Sequence, residues 1–471
     1  VAAPAVKPAQ GERFAMNGFA ARIRLLALLC VLFLAWGCAK PPAPQPIAPS
    51  RPMGKGEVED LRVLPQDLNA YLRPETADRP LMPKEQMSVR MEGFLQEWLK
   101  PWNMTKPDYQ RRNIEEIFKR FEKSPGFDRQ NARHSPAFAA GLLAAADLRA
   151  YPNSLRKAVT VKNTSLRGMP TTDARFSDPS LPGEGYPFDY LQHTALPPGT
   201  PILVTHASRD GSWLLAESSL TFGWLPAADV AFVDESVIRE FSAGRLAAVI
   251  KEKTPLPEAG VTVDVGAVFP MAAPADGAGV TVLVPVRGPS GAAELRRARI
   301  PAGSAVPMPM LMTPRNVAAV GNQLMGQTYG WGGLDGKRDC SALTHDLFAP
   351  FGLYLPRNSA SQAAYGGSIP LGDMGGEQKE ALILSQGVPF ATLVWMQGHI
   401  LVYVGESRGH PVVFHNMWGF HTFGENGRDG RLVIGRAVVT TLRAGEEVPA
   451  VGPSHILLNR VRSISILSRP Y

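Results

Sequence analysis

Three cysteines occur in the chain, Cys30, Cys38 and Cys340, and the first two belong to an N-terminal apolar segment. Cys340 is therefore the one thiol of the body, and it has no disulfide partner there. It follows the glycine-rich run Tyr329-Gly-Trp-Gly-Gly333 and sits in Arg338-Asp-Cys-Ser-Ala342. Asp339 suits a helix N-cap, and Leu343, Leu347 and Phe348 then recur at helical spacing. Cys340 is expected in the first turn, where unpaired backbone N–H groups favour a thiolate. That is the presentation a cysteine nucleophile needs, although a buried free cysteine also serves as a small hydrophobe.

A nucleophile needs a base, and there are nine histidines. His134, His193 and His206 lie far upstream. His345 shares the cysteine's helix at an offset of five, so its side chain points elsewhere. His399 opens Ile400-Leu-Val-Tyr-Val-Gly405, a strand pattern, and Glu406-Ser-Arg-Gly-His410 then suits a hairpin turn before Pro411-Val-Val-Phe-His415 returns. Folding that hairpin brings His415 near His399, in position to fix its tautomer, with Asn416 taking the role if the register slips by one. The alternative is that His410, His415 and His421 are ordinary polar residues of a hairpin. A metal centre is not expected, since no HExxH and no i, i+4 histidine pair on a helix is present.

Tyr329-Gly-Trp-Gly-Gly333 with Asp339-Cys-Ser, Leu355-Pro-Arg-Asn-Ser-Ala-Ser-Gln362, and Gly398-His-Ile-Leu-Val-Tyr403 occur in that order over roughly the last third of the chain. Together they resemble the NlpC-like cell-wall cysteine peptidases. The resemblance implies a papain-like core whose cysteine helix packs on an antiparallel sheet carrying the histidine. It further implies cleavage of peptidoglycan stem peptides between γ-D-glutamate and a diamino acid such as diaminopimelate. Carried over by position, Cys340 is the nucleophile, His399 the base and His415 the orienting residue, with no cofactor and no metal. Tyr329, Asp339, Ser341 and Ser359 would line the substrate groove, Tyr329 facing the oxyanion and Asp339 a free α-amine. The Gly-Asp-Leu common before the histidine strand is Ala391-Thr-Leu393 here. The same core also hosts amidases and acyltransferases, and a wall-binding adaptor with an inactive core is the reading from another class.

The elements ahead of this core bear on where it works. Arg22 and Arg24 precede Leu25 to Trp36, an apolar stretch too short to span a bilayer and laid out as a signal peptide, counted from Met16. Gly37-Cys38 resembles a lipoprotein signal, which implies lipid attachment at Cys38, a membrane anchor and an exported protein of the cell envelope. Pro41-Pro-Ala-Pro-Gln-Pro46 continues as a stiff tether. The formal charge of +7 loses much of its excess once Lys7, Arg13, Arg22 and Arg24 are set aside, and no basic run interleaved with aromatics suggests nucleic acid.

Helical spacing in Met91–Trp98 and Ile114–Phe121 predicts a helical N-terminal domain. Short β-branched runs follow, including Pro201–Thr205, Ser212–Ala216 and Gly223–Pro226. Their order resembles bacterial SH3-like domains, and a second copy is expected around Thr281–Pro285. The expected organisation is α+β and multidomain: signal peptide 1–37, tether 38–56, helical domain 57–152, SH3-like barrels at 153–235 and 236–306, and a papain-like NlpC catalytic domain at 307–471. In the recycling-type endopeptidases that this arrangement resembles, the first barrel closes one end of the groove and restricts substrates to a free N-terminal L-alanine. Tyr190 or Tyr186 would supply that contact, unless both are simply barrel aromatics. A monomer is expected. Thr313 as N-cap with Pro314 at the first helical position begins the last domain.

Overall fold

Helix Arg111–Lys123 places Ile114, Phe118 and Phe121 on one face, and all three are buried. They pack on Met169, Leu191, Leu215 and Trp224, which belong to the β-structure that follows. This pattern holds for the whole helical region in a computed structural model that describes residues 58–424 and 427–468. The expected signal peptide, Cys38 and the tether lie outside the described residues. Helix Lys84–Trp98 sends Phe94 and Trp98, with Trp102 beyond it, into a core shared with Val159, Phe241 and Tyr354. Leu68, Leu81, Met82 and Met87 enter the core of the C-terminal domain. The helices thus bury their apolar faces largely against the other domains, although Phe121 also meets Phe138 of helix Pro136–Ala146 at 6.0 Å between ring centres.

The first β-region is a seven-stranded sheet in the spatial order Gln192–Leu196, Thr164–Arg167, Phe222–Pro226, Trp213–Glu217, Pro201–Ala207, Arg156–Thr160, Val230–Phe232. The three β-branched or Trp-bearing runs singled out above are adjacent strands in it, and Trp224 pairs with Leu215 across the ladder and is fully buried. Helix Glu235–Ser242, capped by Asp234, leads to a second β-region. There the long ribbon Gly279–Arg287/Ala293–Pro301 packs with short strands around Val249, Phe269 and Val282.

In the C-terminal domain, helix Pro314–Leu324 is capped as expected, the Thr313 side chain accepting from the Asn316 N–H. The sheet of this domain has six antiparallel strands in the order Gly367–Pro370, Val461–Ile466, Thr392–Met396, His399–Ser407, His410–Phe423, Asp429–Thr441. Helix Cys340–Phe348 lies on one face, where Leu343, Leu347 and Phe348 meet Ile400, Val402, Val404 and Phe414. Among the described residues no helix is long and apolar enough to cross a membrane.

Candidate active site

Cys340 is the first residue of its helix and Asp339 is the N-cap, its carboxylate accepting from the Ala342 N–H at 2.9 Å. Cys340 is 7% exposed, and the backbone N–H of Ile400 points at its sulfur. The helix start is thereby set against the head of the histidine strand. Two hairpin turns hold that strand. Gln397-Gly398 joins Met396 to His399 with Gly398 at φ +80°, and Arg408-Gly409 joins Ser407 to His410 with both residues left-handed, at φ +53° and +82°. Left-handed residues at both central positions match the right-handed twist of the flanking strands. The second turn is thus tighter than the five residues expected, and a bulge between Tyr403 and Gly405 absorbs the change in register.

The result is a direct contact between the two histidines. His399 Nε2 lies 2.9 Å from His415 Nδ1, and His415 Nε2 lies 3.0 Å from Thr440 Oγ1. Asn416 does not take that place; its Nδ2 donates to the carbonyl of Arg338 at 2.8 Å. With Nε2 of His399 occupied, Nδ1 is the nitrogen left for proton transfer.

Burial dominates the electrostatics. It pushes the Cys340 thiol up to about 12, helped by the Asp339 carboxylate and opposed by the Ile400 N–H and by Arg357. His399 is driven down to about 3 by burial and by Arg460, and fully buried His415 is driven down by burial and by His399. The resting pair is accordingly a neutral thiol and a neutral imidazole. The helix N-terminus, expected to favour thiolate, is outweighed by desolvation and by the adjacent carboxylate.

Asp339 is itself committed. Its Oδ2 accepts from Arg357 at 2.6 Å and from the Gly332 N–H at 3.0 Å, and its Oδ1 accepts from a second Arg357 nitrogen at 3.1 Å. Although burial raises its pKa, Arg357 and the backbone donors hold the carboxylate below the usual range. Ser341 Oγ donates to Asp339 and accepts from Arg357. Arg357 also donates through Nε to Thr194 Oγ1 of the first β-region, at 2.8 Å. Ser359 opens the short helix that follows and is partly buried.

Tyr329 is buried, and burial together with Cys340 and Asp339 raises its phenol well above the ordinary value. It belongs to an aromatic cluster that joins domains. Phe188 lies 6.2 Å from Tyr329, 5.8 Å from Trp331 and 5.6 Å from Trp418 between ring centres, and Tyr190 reaches Trp331 at 6.4 Å. Tyr190 is 37% exposed, donates to Glu184 at 2.8 Å and lies under the Arg175 guanidinium. Tyr186 is directed instead to Asp335 and Lys337, at the far end of the glycine loop.

The glycines of that loop serve docking as well as presentation. Gly332 and Gly333 are left-handed, at φ +62° and +83°, and a Cβ on Gly332 would lie 2.4 Å from the carbonyl oxygen of Gln192. Phe188, Trp331, Arg357, Trp418 and Thr440 were given no role by the sequence. Arg357 and Trp331 stood inside quoted motifs, and a largely buried arginine demands an anionic partner; Phe188, Trp418 and Thr440 carried no local signal.

Three domain families match the chain: the NLPC_P60 stabilising domain, N term, over residues 27–151, an SH3 domain of SH3b1 type over 174–226, and the NlpC/P60 family over 326–417. A solved structure described as a novel NlpC/P60 endopeptidase from Photobacterium damselae subsp. piscicida is 26% identical, with a TM-score of 0.79 over 87% of this chain and 98% of that one. An NlpC/P60 family protein from Bacillus cereus ATCC 10987 is 14% identical over 66% of this chain and 99% of that one, with a TM-score of 0.43. No curated protein matches the chain.

Proposed function

Because the chain carries an NlpC/P60 domain behind a stabilising domain and an SH3 domain, we propose that it is a peptidoglycan hydrolase: a cysteine endopeptidase that cleaves the γ-D-glutamyl bond to a diamino acid in stem peptides bearing a free N-terminal L-alanine. The observation that carries the reading is the pairing of His399 Nε2 with His415 Nδ1 beside a helix-capped Cys340. Attack by the sulfur on the γ-carbonyl carbon passes the thiol proton to Nδ1 of His399. The imidazolium then protonates the departing amine, leaving a thioester. Water, deprotonated by the same nitrogen, attacks the thioester carbon and releases the glutamyl carboxylate and the thiol.

Neutral resting partners make this a general-base reaction, with proton loss coupled to attack rather than a preformed ion pair. The backbone N–H of Cys340 and the Tyr329 hydroxyl are the proposed oxyanion donors. The aromatic contacts of Phe188 and Tyr190 with Trp331 support a groove closed at one end by the first β-region, which suits a released peptide with a free end. Asp339 is neutralised by Arg357, so the substrate amine would have to share that carboxylate with the guanidinium. Domain boundaries, export and lipid attachment at Cys38 complete the proposal, which sets the enzyme in the cell envelope. The test is mass spectrometry of L-Ala-γ-D-Glu-meso-diaminopimelate and its N-acetylated analogue after incubation with the protein; cleavage of the acetylated peptide at an equal rate would reject the free-amine requirement.

A further inference from the structure

Behind the histidine pair stands a third side chain, Thr440, which is fully buried in the strand Asp429–Thr441. That strand runs antiparallel to the one carrying His415, with His415 opposite Val438 and Val413 opposite Thr440. Thr440 is therefore the diagonal neighbour of His415 on the same face, which places its hydroxyl 3.0 Å from His415 Nε2. His415 is also fully buried, so no bulk water competes for either ring nitrogen.

We propose that Thr440 is a positioning residue that gives the Nε2–H of His415 its buried acceptor and so supports the tautomer that leaves Nδ1 of His399 free to take the thiol proton. Hydrogen-bond direction separates two settings of the chain His399–His415–Thr440. A neutral imidazole has one N–H and one lone pair, and a hydroxyl can either donate or accept. In one setting His399 Nε2–H donates to His415 Nδ1, and His415 Nε2–H donates to Thr440 Oγ1; Nδ1 of His399 then holds a lone pair. In the reverse setting Thr440 donates, His415 Nδ1–H donates to His399 Nε2, and the proton of His399 sits on Nδ1, where it blocks base catalysis. Only the first setting also survives protonation of His399, because the imidazolium still meets a lone pair on His415. In the reverse setting two N–H groups would face one another at 2.9 Å. The charged groups acting on His399 are Arg460, which disfavours its protonation, and Asp339, which favours it, while His415 is acted on by His399.

The inference rests on the assignment of His399 as base, so its test uses readouts that do not depend on the substrate. Long-range ¹H–¹⁵N correlation spectra of the wild-type protein, labelled at histidine, report which nitrogen of each ring carries the proton. The expected result is Nε2–H on both His399 and His415. In Thr440→Val the His415 signals should show mixed tautomers, and alkylation of Cys340 by iodoacetamide at neutral pH should slow by about tenfold or more, a wrong tautomer being as damaging as a lost base. Thr440→Ser, which keeps the hydroxyl, should return the rate to within about threefold of wild type, whereas a hydroxyl that merely braced the strands would leave the rates of folded variants alike. Nδ1–H on His415 in the wild-type protein overturns the proposal even if Thr440→Val does not fold. So does a folded Thr440→Val with wild-type tautomers and alkylation rate. Expected spectra and rates in a protein that cleaves no stem peptide would uphold the role of Thr440 and reject the peptidase reading instead.

Discussion

Asp339 and Arg357 form a largely buried, two-pronged ion pair, with contacts of 2.6 and 3.1 Å, beginning one residue away from the cysteine. The pair serves three elements at once: it caps the cysteine helix through Asp339, fixes the glycine loop through the Gly332 N–H, and reaches the first β-region through Thr194. Removing one member leaves the other charge buried without its partner, and that costs more than the pair contributes. Asp339→Ala should destabilise the protein by about 3–5 kcal/mol in urea denaturation, and Arg357→Lys should also lose stability because lysine cannot reproduce the fork. Wild-type stability for either variant would contradict this account of the pair.

The charge state of the resting thiol is the second expectation. With Cys340 pushed up to about 12 and His399 down to about 3, no thiolate–imidazolium pair is present at neutral pH. The rate of iodoacetamide alkylation should be low at pH 6 and climb steadily through pH 9. A plateau already reached below pH 6 would show a preformed ion pair.

Stability should fall in acid, and the sign follows from proton uptake. His193, His206, His345, His399 and His415 all have folded pKa values lowered by burial from 6.5, so the unfolded chain binds more protons between those values and 6.5. Their contribution is present above pH 6.5 and is lost as the pH falls toward the folded values. Glu217, pushed up to about 7 by burial, acts in the opposite sense between 4.5 and 7, as do Glu252 and Asp60, also raised by burial, above 4.5 and 3.8; these three carboxyls stand against five histidines. Thermal unfolding scans from pH 7.5 to 5 should show a falling midpoint; a midpoint that rises over that range would refute the assignment of neutral buried histidines.

The glycine loop offers a steric test. Alanine at Gly332 or Gly333 adds a Cβ at a left-handed position and drives it onto Gln192 or Ala195, which a Cβ on Gly333 would approach to 2.6 Å. Each substitution should cost more than about 2 kcal/mol and increase proteolysis at the seam between the first β-region and the C-terminal domain. Unchanged protease resistance would show that the seam yields without cost.

What the sequence made legible was local. An N-cap before helical spacing placed Cys340, and a strand pattern broken by glycine placed His399 near His415. Thr440 was invisible because it comes 25 residues later, on a strand whose register crosses an irregularity between Met417 and Gly419. Arg357 lay in a recognised segment, yet nothing in the local pattern joined it to Asp339, 18 residues earlier. The amphipathic faces of the N-terminal helices were equally plain, but periodicity says that a face is buried and not against what. Ile114, Phe118 and Phe121 prove to be part of the core of the first β-region.

The most direct test of the central claim is incubation of L-Ala-γ-D-Glu-meso-diaminopimelate with the wild-type protein and with Cys340→Ala, followed by mass spectrometry. The account predicts release of L-Ala-D-Glu and free diaminopimelate by the wild type and none by the variant, whose folding should be nearly intact because the change is small and the helix cap at Asp339 is kept. Equal cleavage by Cys340→Ala, or an intact peptide after incubation with a folded wild-type protein, would contradict it.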